Sequence, residues 1–240
     1  MKDPAHNLFY VPPDLIHGHS LVITGGELHH LRNVLRKKDG DLLVLTDGLG
    51  NRIEARISRF GQKELAAEII KKEEMPVNSP PVLDLAIAPL KGTRTDLIIE
   101  KSVELGIRRF IFFKSQNSVV KTMSKAKIER FQKIARSAML QSRQYFLPVF
   151  DFQPDLADLT RIFSSYDLVL VADPSGGSNI PPDQKMILYI VGPEGGFENP
   201  ELASFIKAGA RSVSLGRVRL RSETAALAGI VKILSNYRII

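Results

Sequence analysis

Gly192-Pro193-Glu194-Gly195-Gly196 places three glycines and a proline within five residues, directly after the apolar run Met186 to Val191. Such a loop can neither continue a strand nor start a helix interior, and its backbone can approach a ligand closely. GxGxxG and GxxxxGK[ST] fingerprints are both absent, so this is no dinucleotide or triphosphate cradle. Downstream, Arg217, Arg219 and Arg221 alternate with Val218 and Leu220. In an extended segment the arginines share one face, suited to phosphate or base oxygens, and the apolar pair shares the other, suited to packing on a ring system. Arg143 follows Gln141-Ser142 at the end of a helical pattern, where a cation also serves the helix dipole. All five histidines fall within the first 30 residues, and although His17-Gly18-His19 and His29-His30 look like ligand pairs, no full ligand set gathers around either. No metal site is therefore expected. His29 and His30 instead pack or cap a helix that carries Arg32 and Arg36.

The elements that must hold these residues alternate. Val82 to Ala88 reads as an apolar strand, Asp96 to Leu105 as a helix closed by Gly106, and Arg109 to Phe113 as a strand. Ser124 caps a helix with apolar Ile128, Phe131, Ala135 and Ala138 on one face. Leu147 to Phe150, Leu168 to Ala172 and Met186 to Val191 are further strands. Asn199 is the expected N-cap, with Pro200 next, of a helix ending near Ala208. A short strand, Ser212 to Leu215, precedes a last helix, Glu223 to Tyr237, that is apolar on most sides. This alternation predicts an α/β fold, a mostly parallel sheet with helices on both faces. Ligands in such sheets bind beyond the carboxyl ends of strands, and three loops, after strands ending near 172, 191 and 215, meet that rule.

Residues 1–72 differ. Short β runs at 20–23, 42–46, 51–57 and 65–70 are separated by Gly25-Gly26, Asp39-Gly40, Asp47-Gly48 and Gly61, with one helix over 27–36. This spacing predicts a small β domain, of barrel type. Residues 73–81, EEMPVNSPP, form the linker, leaving 82–240 as the second domain.

The formal net charge of +7 favours a polyanionic partner, most simply nucleic acid. The excess concentrates between Lys91 and Arg143, with 13 Lys+Arg against 4 Asp+Glu. With Cys 0, disulfides, cysteine nucleophiles and thiolate metal sites are excluded. No run reaches the roughly 18 apolar residues of a membrane span, and the N-terminus lacks a signal-peptide core. A cytoplasmic setting is expected, with no membrane partner.

GPEGGF at Gly192 to Phe197 and LGxxxLRxETA at Leu215 to Ala225 resemble the small-subunit ribosomal RNA methyltransferase E (RsmE) family of the SPOUT superfamily. Lys101 with Glu104-Leu105-Gly106, Gln141-Ser142-Arg143, and His29-His30-Leu31 through Val34-Leu35-Arg36 to Gly40-Asp41 match in the same order. Arg219 replaces the usual isoleucine. The resemblance implies a C-terminal trefoil knot and, in residues 1–72, a PUA-like RNA-binding β-barrel. It implies S-adenosylmethionine as cofactor, held by Leu170, Val171, Ala172, Ile190, Val191, Gly192, Pro193, Glu194, Gly195, Gly196, Leu215, Gly216, Val218, Arg219, Leu220, Thr224 and Ala225. It also implies methylation at N3 of one uridine in the decoding region of 16S rRNA, with the small ribosomal subunit as partner and a homodimer formed through the knot region. Arg143 and Arg221 then stabilise charge on the uracil oxygens. Glu223 joins them as a candidate catalytic residue; Glu194 or water could equally accept the proton. Arg32, Arg36, Lys37, Lys91, Lys101 and Arg217 are the expected RNA contacts. Alternatives are a knotted ribose 2′-O-methyltransferase and a non-catalytic RNA-binding assembly factor.

Overall fold

Period-two apolar alternation dominates the first 76 residues, and longer apolar runs dominate the remainder. The structure, a computed structural model, describes residues 7–76, 81–120 and 123–240. It divides into two units, Met1–Val77 with Met139–Leu147, and Asn78–Ala138 with Pro148–Ile240. Of the expected linker, residues 77–80 lie outside the described residues, as does His6.

In the first unit β1 (Leu8–Tyr10), β2 (Ile16–His17), β3 (Ser20–Thr24), β4 (Leu42–Thr46), β5 (Asn51–Phe60) and β6 (Glu64–Glu74) form one sheet in the order β1-β4-β5-β6-β3-β2. The pairs are antiparallel except β1 with β4. Register shifts between β5 and β6, at Glu54/Ala55 and Ile57/Arg59, bend the two longest strands. The sheet thereby curls into a half-barrel around Leu21, Leu31, Leu43, Leu45, Ile53 and Ile57. The helix expected over 27–36 is two pieces, α1 (Gly25–His29) and a π-helical turn (His30–Val34). Arg36 then sits at φ 51, a left-handed residue that turns the chain back.

Sequence reading keeps Met139–Leu147 within 82–240, but this segment builds into the first unit. Its backbone is the reason. The Leu147 N–H donates to the Gly48 carbonyl at 2.8 Å, and the Gly50 N–H donates to the Tyr145 carbonyl at 2.9 Å. A Cβ on Gly50, at φ 102, would stand 2.5 Å from the Phe146 ring, so only glycine fits this crossing.

The second unit is a parallel sheet. Strands β7 (Val82–Ile87), β8 (Arg109–Phe113), β9 (Val149–Gln153), β10 (Leu168–Gly177), β11 (Met186–Val191) and β12 (Arg211–Val213) lie in the order β12-β10-β11-β7-β8-β9, every neighbouring pair parallel. Both faces are covered, which explains the unbroken apolar runs. On one face Ala86, Ile111, Val171, Leu188 and Ile190 meet Phe163 and Phe205. Phe163 follows α4 (Leu156–Arg161), a helix with no counterpart in the sequence reading, and Phe205 belongs to α5 (Asn199–Lys207). On the other face α2 (Arg94–Glu104) packs against α6 (Ser222–Asn236), and Phe131 of α3 (Lys125–Gln141) lies 5.4 Å from Phe112. Gly229 lets α6 settle on β11: a Cβ there would run into the Tyr189 ring and hydroxyl. That hydroxyl donates to the Ala225 carbonyl at 2.9 Å, and full burial pushes its pKa well up.

The beginnings of the strands hold a second polar cluster. Asp84, 3% exposed, accepts from the Tyr166 hydroxyl at 2.7 Å. Arg109 Nε lies 3.8 Å from Asp84 and 3.5 Å from Asp151. Burial raises the Asp84 carboxyl above the ordinary range, against the pull of the Tyr166 hydrogen bond and of Arg109.

Candidate active site

At the opposite ends of these strands the backbone opens. A cavity of about 390 Å³ lies beyond β10, β11 and β12, where a parallel sheet presents its ligands. Four segments wall it. After β11, Gly192 to Phe197 turns under Gly196 at φ 79. Two of its glycines have close neighbours that a side chain would crowd. A Cβ on Gly192 would meet the Phe197 ring at 3.1 Å, and one on Gly195 would meet Asn117 Cβ at 3.0 Å. Phe197 anchors the loop by stacking on Phe113, centroids 6.1 Å apart, and meeting Phe205 edge-on at 5.2 Å.

The loop then enters α5 through Glu198, one residue before the expected cap Asn199. A capping box joins Glu198 to Glu201. This pairing satisfies two helix N-terminal donors at once, and asparagine's single side chain does not compete with it. Glu201 is buried and also accepts from the Gln116 N–H at 2.8 Å and the Ser115 hydroxyl at 3.2 Å. Asn117 donates to Glu198 at 2.7 Å. The loop after β8 thus braces the glycine loop through charge-assisted bonds.

The second wall is a break in β10. Its register against β12 shifts between Ala172 and Gly177. Asp173 folds back to accept from the Ser175 N–H at 3.0 Å, so Ala172, Asp173 and Pro174 edge the cavity. A Cβ on Gly176 would strike the Ser212 backbone at 2.6 Å, which explains the glycine at this crossing. Leu215, Gly216, Val218, Arg219 and Leu220 form the third wall, and Ser222 with Ala225 on α6 the fourth.

Thirteen of the seventeen residues expected around the cofactor line this cavity. Leu170, Val171 and Ile190 do not: they precede the strand ends and are buried in the sheet's packing faces. Thr224 is exposed, because Ser222 and Ala225, three apart on α6, take the inward face. Asp173 and Pro174 line it too, in the loop expected after the strand ending near 172, and Phe197, Leu202, Val213 and Ser222 line it without having been expected. The helical spacing to Ala225 pointed to Ser222; Leu202 and Val213 carry no local signal.

Arg94, the first residue of α2, links two carboxylates. Its Nη1 lies 3.3 Å from Glu194 Oε1 and its Nε 3.8 Å from Glu223 Oε1. Glu194 Oε1 also accepts from the Lys91 N–H at 3.0 Å. The other oxygen of each carboxylate is shielded from water and takes no hydrogen bond among the described residues. Arg221 is exposed at the N-cap of α6 and does not line the cavity, nor does Glu223. Arg143 lies in the segment built into the first unit, at φ 56.

The expected RNA contacts separate into two kinds. Arg32 donates to the Gly61 and Gln62 carbonyls and stands 5.1 Å over the Phe60 ring. Lys37 donates to the Leu42 carbonyl at 3.0 Å, and Lys101 pairs with Glu100 and Glu104 at 2.7 and 2.9 Å. These three are engaged within their own unit. Arg36, Lys91 and Arg217 are exposed. Among the described residues no three His, Asp or Glu side chains gather as a metal site would require, and no helix is long and apolar enough to cross a membrane.

A family model described as an RNA methyltransferase domain matches residues 77–234, and an RNA methyltransferase PUA domain matches 23–70. Over 233 residues the chain is 32% identical to the ribosomal RNA small subunit methyltransferase E of Mycobacterium bovis, covering 91% of this chain and 87% of that one. The chain belongs to the small-subunit ribosomal RNA methyltransferase E family. A family member from Synechocystis is 31% identical, with 95% of this chain and 77% of that one covered. The crystal structure of the family member from Neisseria gonorrhoeae bound to S-adenosyl methionine superposes with a TM-score of 0.86 at 28% identity, covering 96% and 98% of the two chains. A probable rRNA methyltransferase from Porphyromonas gingivalis gives 0.84 at 30%, covering 97% and 99%.

Proposed function

We infer that this chain is an S-adenosylmethionine-dependent methyltransferase that modifies N3 of one uridine in the 16S rRNA of the small ribosomal subunit. The observation that carries the reading is the 390 Å³ cavity at the strand ends, walled by glycines that a side chain would crowd. Its lining fits the cofactor's chemistry. Val191, Leu215 and Leu220 offer apolar surface, and the backbone of residues 192–196 offers close donors and acceptors. The cofactor supplies an electrophilic methyl group on a sulfonium centre.

The chain's own residues supply the rest. Uracil N3 is a poor nucleophile while protonated, and the anion spreads charge onto O2 and O4. Arginines stabilise such charge where it develops. Arg221, on the N-cap of the helix whose next residue lines the cavity, is the candidate there. Reaching N3 requires the base to leave its stack. Exposed Arg36 and Arg217 hold phosphates, which fixes register without chemistry. The exposed apolar residues Val231, Ile239 and Ile240, on and after α6, support pairing of two copies through the C-terminal region, where the resemblance expects a knot.

Mass spectrometry of ribosomal nucleosides from a strain lacking the gene tests the reading. Loss of 3-methyluridine from small-subunit RNA is expected. Loss of a ribose 2′-O-methyl group, or no change, overturns it.

A further inference from the structure

Beside the cofactor cavity lies a second, more open depression of about 590 Å³, lined by Lys91, Gly92, Thr93, Arg94, Val119 and Glu194. Glu194 lines both, so an occupant of the depression sits one side chain away from the cofactor cavity. The two cations here are not equivalent. Arg94 is committed to Glu194 and Glu223. Lys91 is exposed and forms no ion pair among the described residues, while its backbone is held by Glu194. Its ammonium is thus tethered at one end and open at the other. Gly92, at φ 70 with open space where a Cβ would stand, keeps the loop low. Val119 is 59% exposed, an apolar surface left uncovered among charges.

We propose that this depression receives the nucleotide to be methylated, with its phosphate on Lys91, its base resting on Val119 and its imide edge towards Glu194. The proposal rests on the uridine-N3 reading above and adds the seat of that uridine. An ammonium and a phosphate are a matched pair. An ionised carboxylate only accepts hydrogen bonds. It therefore suits the N3–H of uracil and opposes the bare ring N3 of cytosine. Glu194 Oε2 is shielded and takes no hydrogen bond among the described residues, a deficit buried acceptors seldom carry, and a turn of this side chain, 24% exposed, brings it to the depression's surface. The same geometry discriminates against product: 3-methyluridine has no N3–H to donate and loses this bond.

The test uses the full chain loaded with S-adenosylhomocysteine, with amide chemical shifts followed as uridine 5′-monophosphate, its cytidine counterpart and its 3-methyl derivative are added. Uridine 5′-monophosphate should move the Gly92 and Val119 amides, and the 3-methyl derivative should bind about tenfold more weakly, the worth of one charge-assisted hydrogen bond. Lys91→Ala should weaken uridine 5′-monophosphate by a similar factor. Val119→Asp, an exposed change that spares the core, should also weaken it. Unmoved amides at 92 and 119, or equal binding of all three nucleotides, overturns the proposal. Calorimetry with S-adenosylmethionine on the unloaded protein separates the failures. If the cofactor does not bind, the methyltransferase reading falls; if it binds and the nucleotides do not, only the nucleotide seat falls.

Discussion

The two ends of the parallel sheet carry similar residue types under opposite rules. Where the strands begin, Asp84, Arg109, Asp151 and Tyr166 close on one another, and Asp84 receives its hydrogen bond from inside the protein. Where the strands finish, Arg94 is shared between Glu194 and Glu223, and each carboxylate keeps one undonated oxygen. Buried polar atoms are normally satisfied. The satisfied cluster therefore serves stability, and the unsatisfied one keeps unused acceptor capacity beside the cavity. Perturbing each end should separate folding from binding.

The largest effect is expected at the open end. Gly195→Val adds atoms against Asn117, whose Cβ a glycine Cβ would already approach at 3.0 Å. Overpacking of this kind costs about 1–3 kcal/mol. If the loop shifts into the cavity to relieve it, cofactor affinity falls by roughly 10- to 100-fold. Calorimetry with S-adenosylmethionine measures this; unchanged affinity would show that the glycine loop is not the cofactor wall.

Tyr166→Phe tests the closed end. It removes the donor to a buried carboxylate, a loss of about 1–3 kcal/mol, visible in the denaturant midpoint, while cofactor affinity stays unchanged. A variant with native stability and impaired cofactor binding would reverse the roles assigned to the two ends.

Arg94→Ala should do the converse on a smaller scale. The guanidinium is partly exposed, so its pairs contribute little to stability, about 0–1 kcal/mol. Glu194 nevertheless loses the partner that orients it, and cofactor affinity should drop about fivefold with Arg94→Lys recovering part of it. A large stability loss without any change in binding would refute the assignment.

The smallest effect is a pH slope. The folded-state pKa of Asp84 is raised above its unfolded value. Its contribution to stability is therefore fully present below the unfolded value of 3.8 and is lost as pH rises through the folded value. Asp84→Asn should flatten this part of the stability–pH curve in urea titrations, whereas an identical slope in both proteins would mean that Asp84 is not its source.

The sequence made the open end more legible than the closed one. Met186 to Val191 reads directly as β11, and the glycine loop announces a close approach because a Cβ at Gly192 or Gly195 would crowd its neighbours. Asp84 and Arg109 come together only through strand register, which a single sequence does not state. Leu170 and Ile190 were expected at the cofactor because they adjoin the loops, yet side chains before a strand end belong to the sheet's packing faces. Arg32 on a helix and Lys37 at its exit read as RNA contacts, but long side chains bond whatever carbonyl lies within reach, here those of a hairpin turn and a neighbouring strand. The Glu198 cap escaped notice because Asn199 is the better intrinsic capper, and the reciprocal bond with Glu201 outweighs that preference.

The crossing at Gly48 to Gly50 bears on the order in which the chain can fold during its synthesis. The first unit is assembled from two stretches, Met1–Val77 and Met139–Leu147. A growing chain that has delivered all six strands of the half-barrel still lacks the partner of the Gly48 carbonyl and the Gly50 N–H. The N-terminal unit is therefore completed only after α2, α3 and strands β7 and β8 have left the ribosome. A fragment ending at Val77 would leave this turn open, and a stop anywhere before Leu147 leaves both units incomplete.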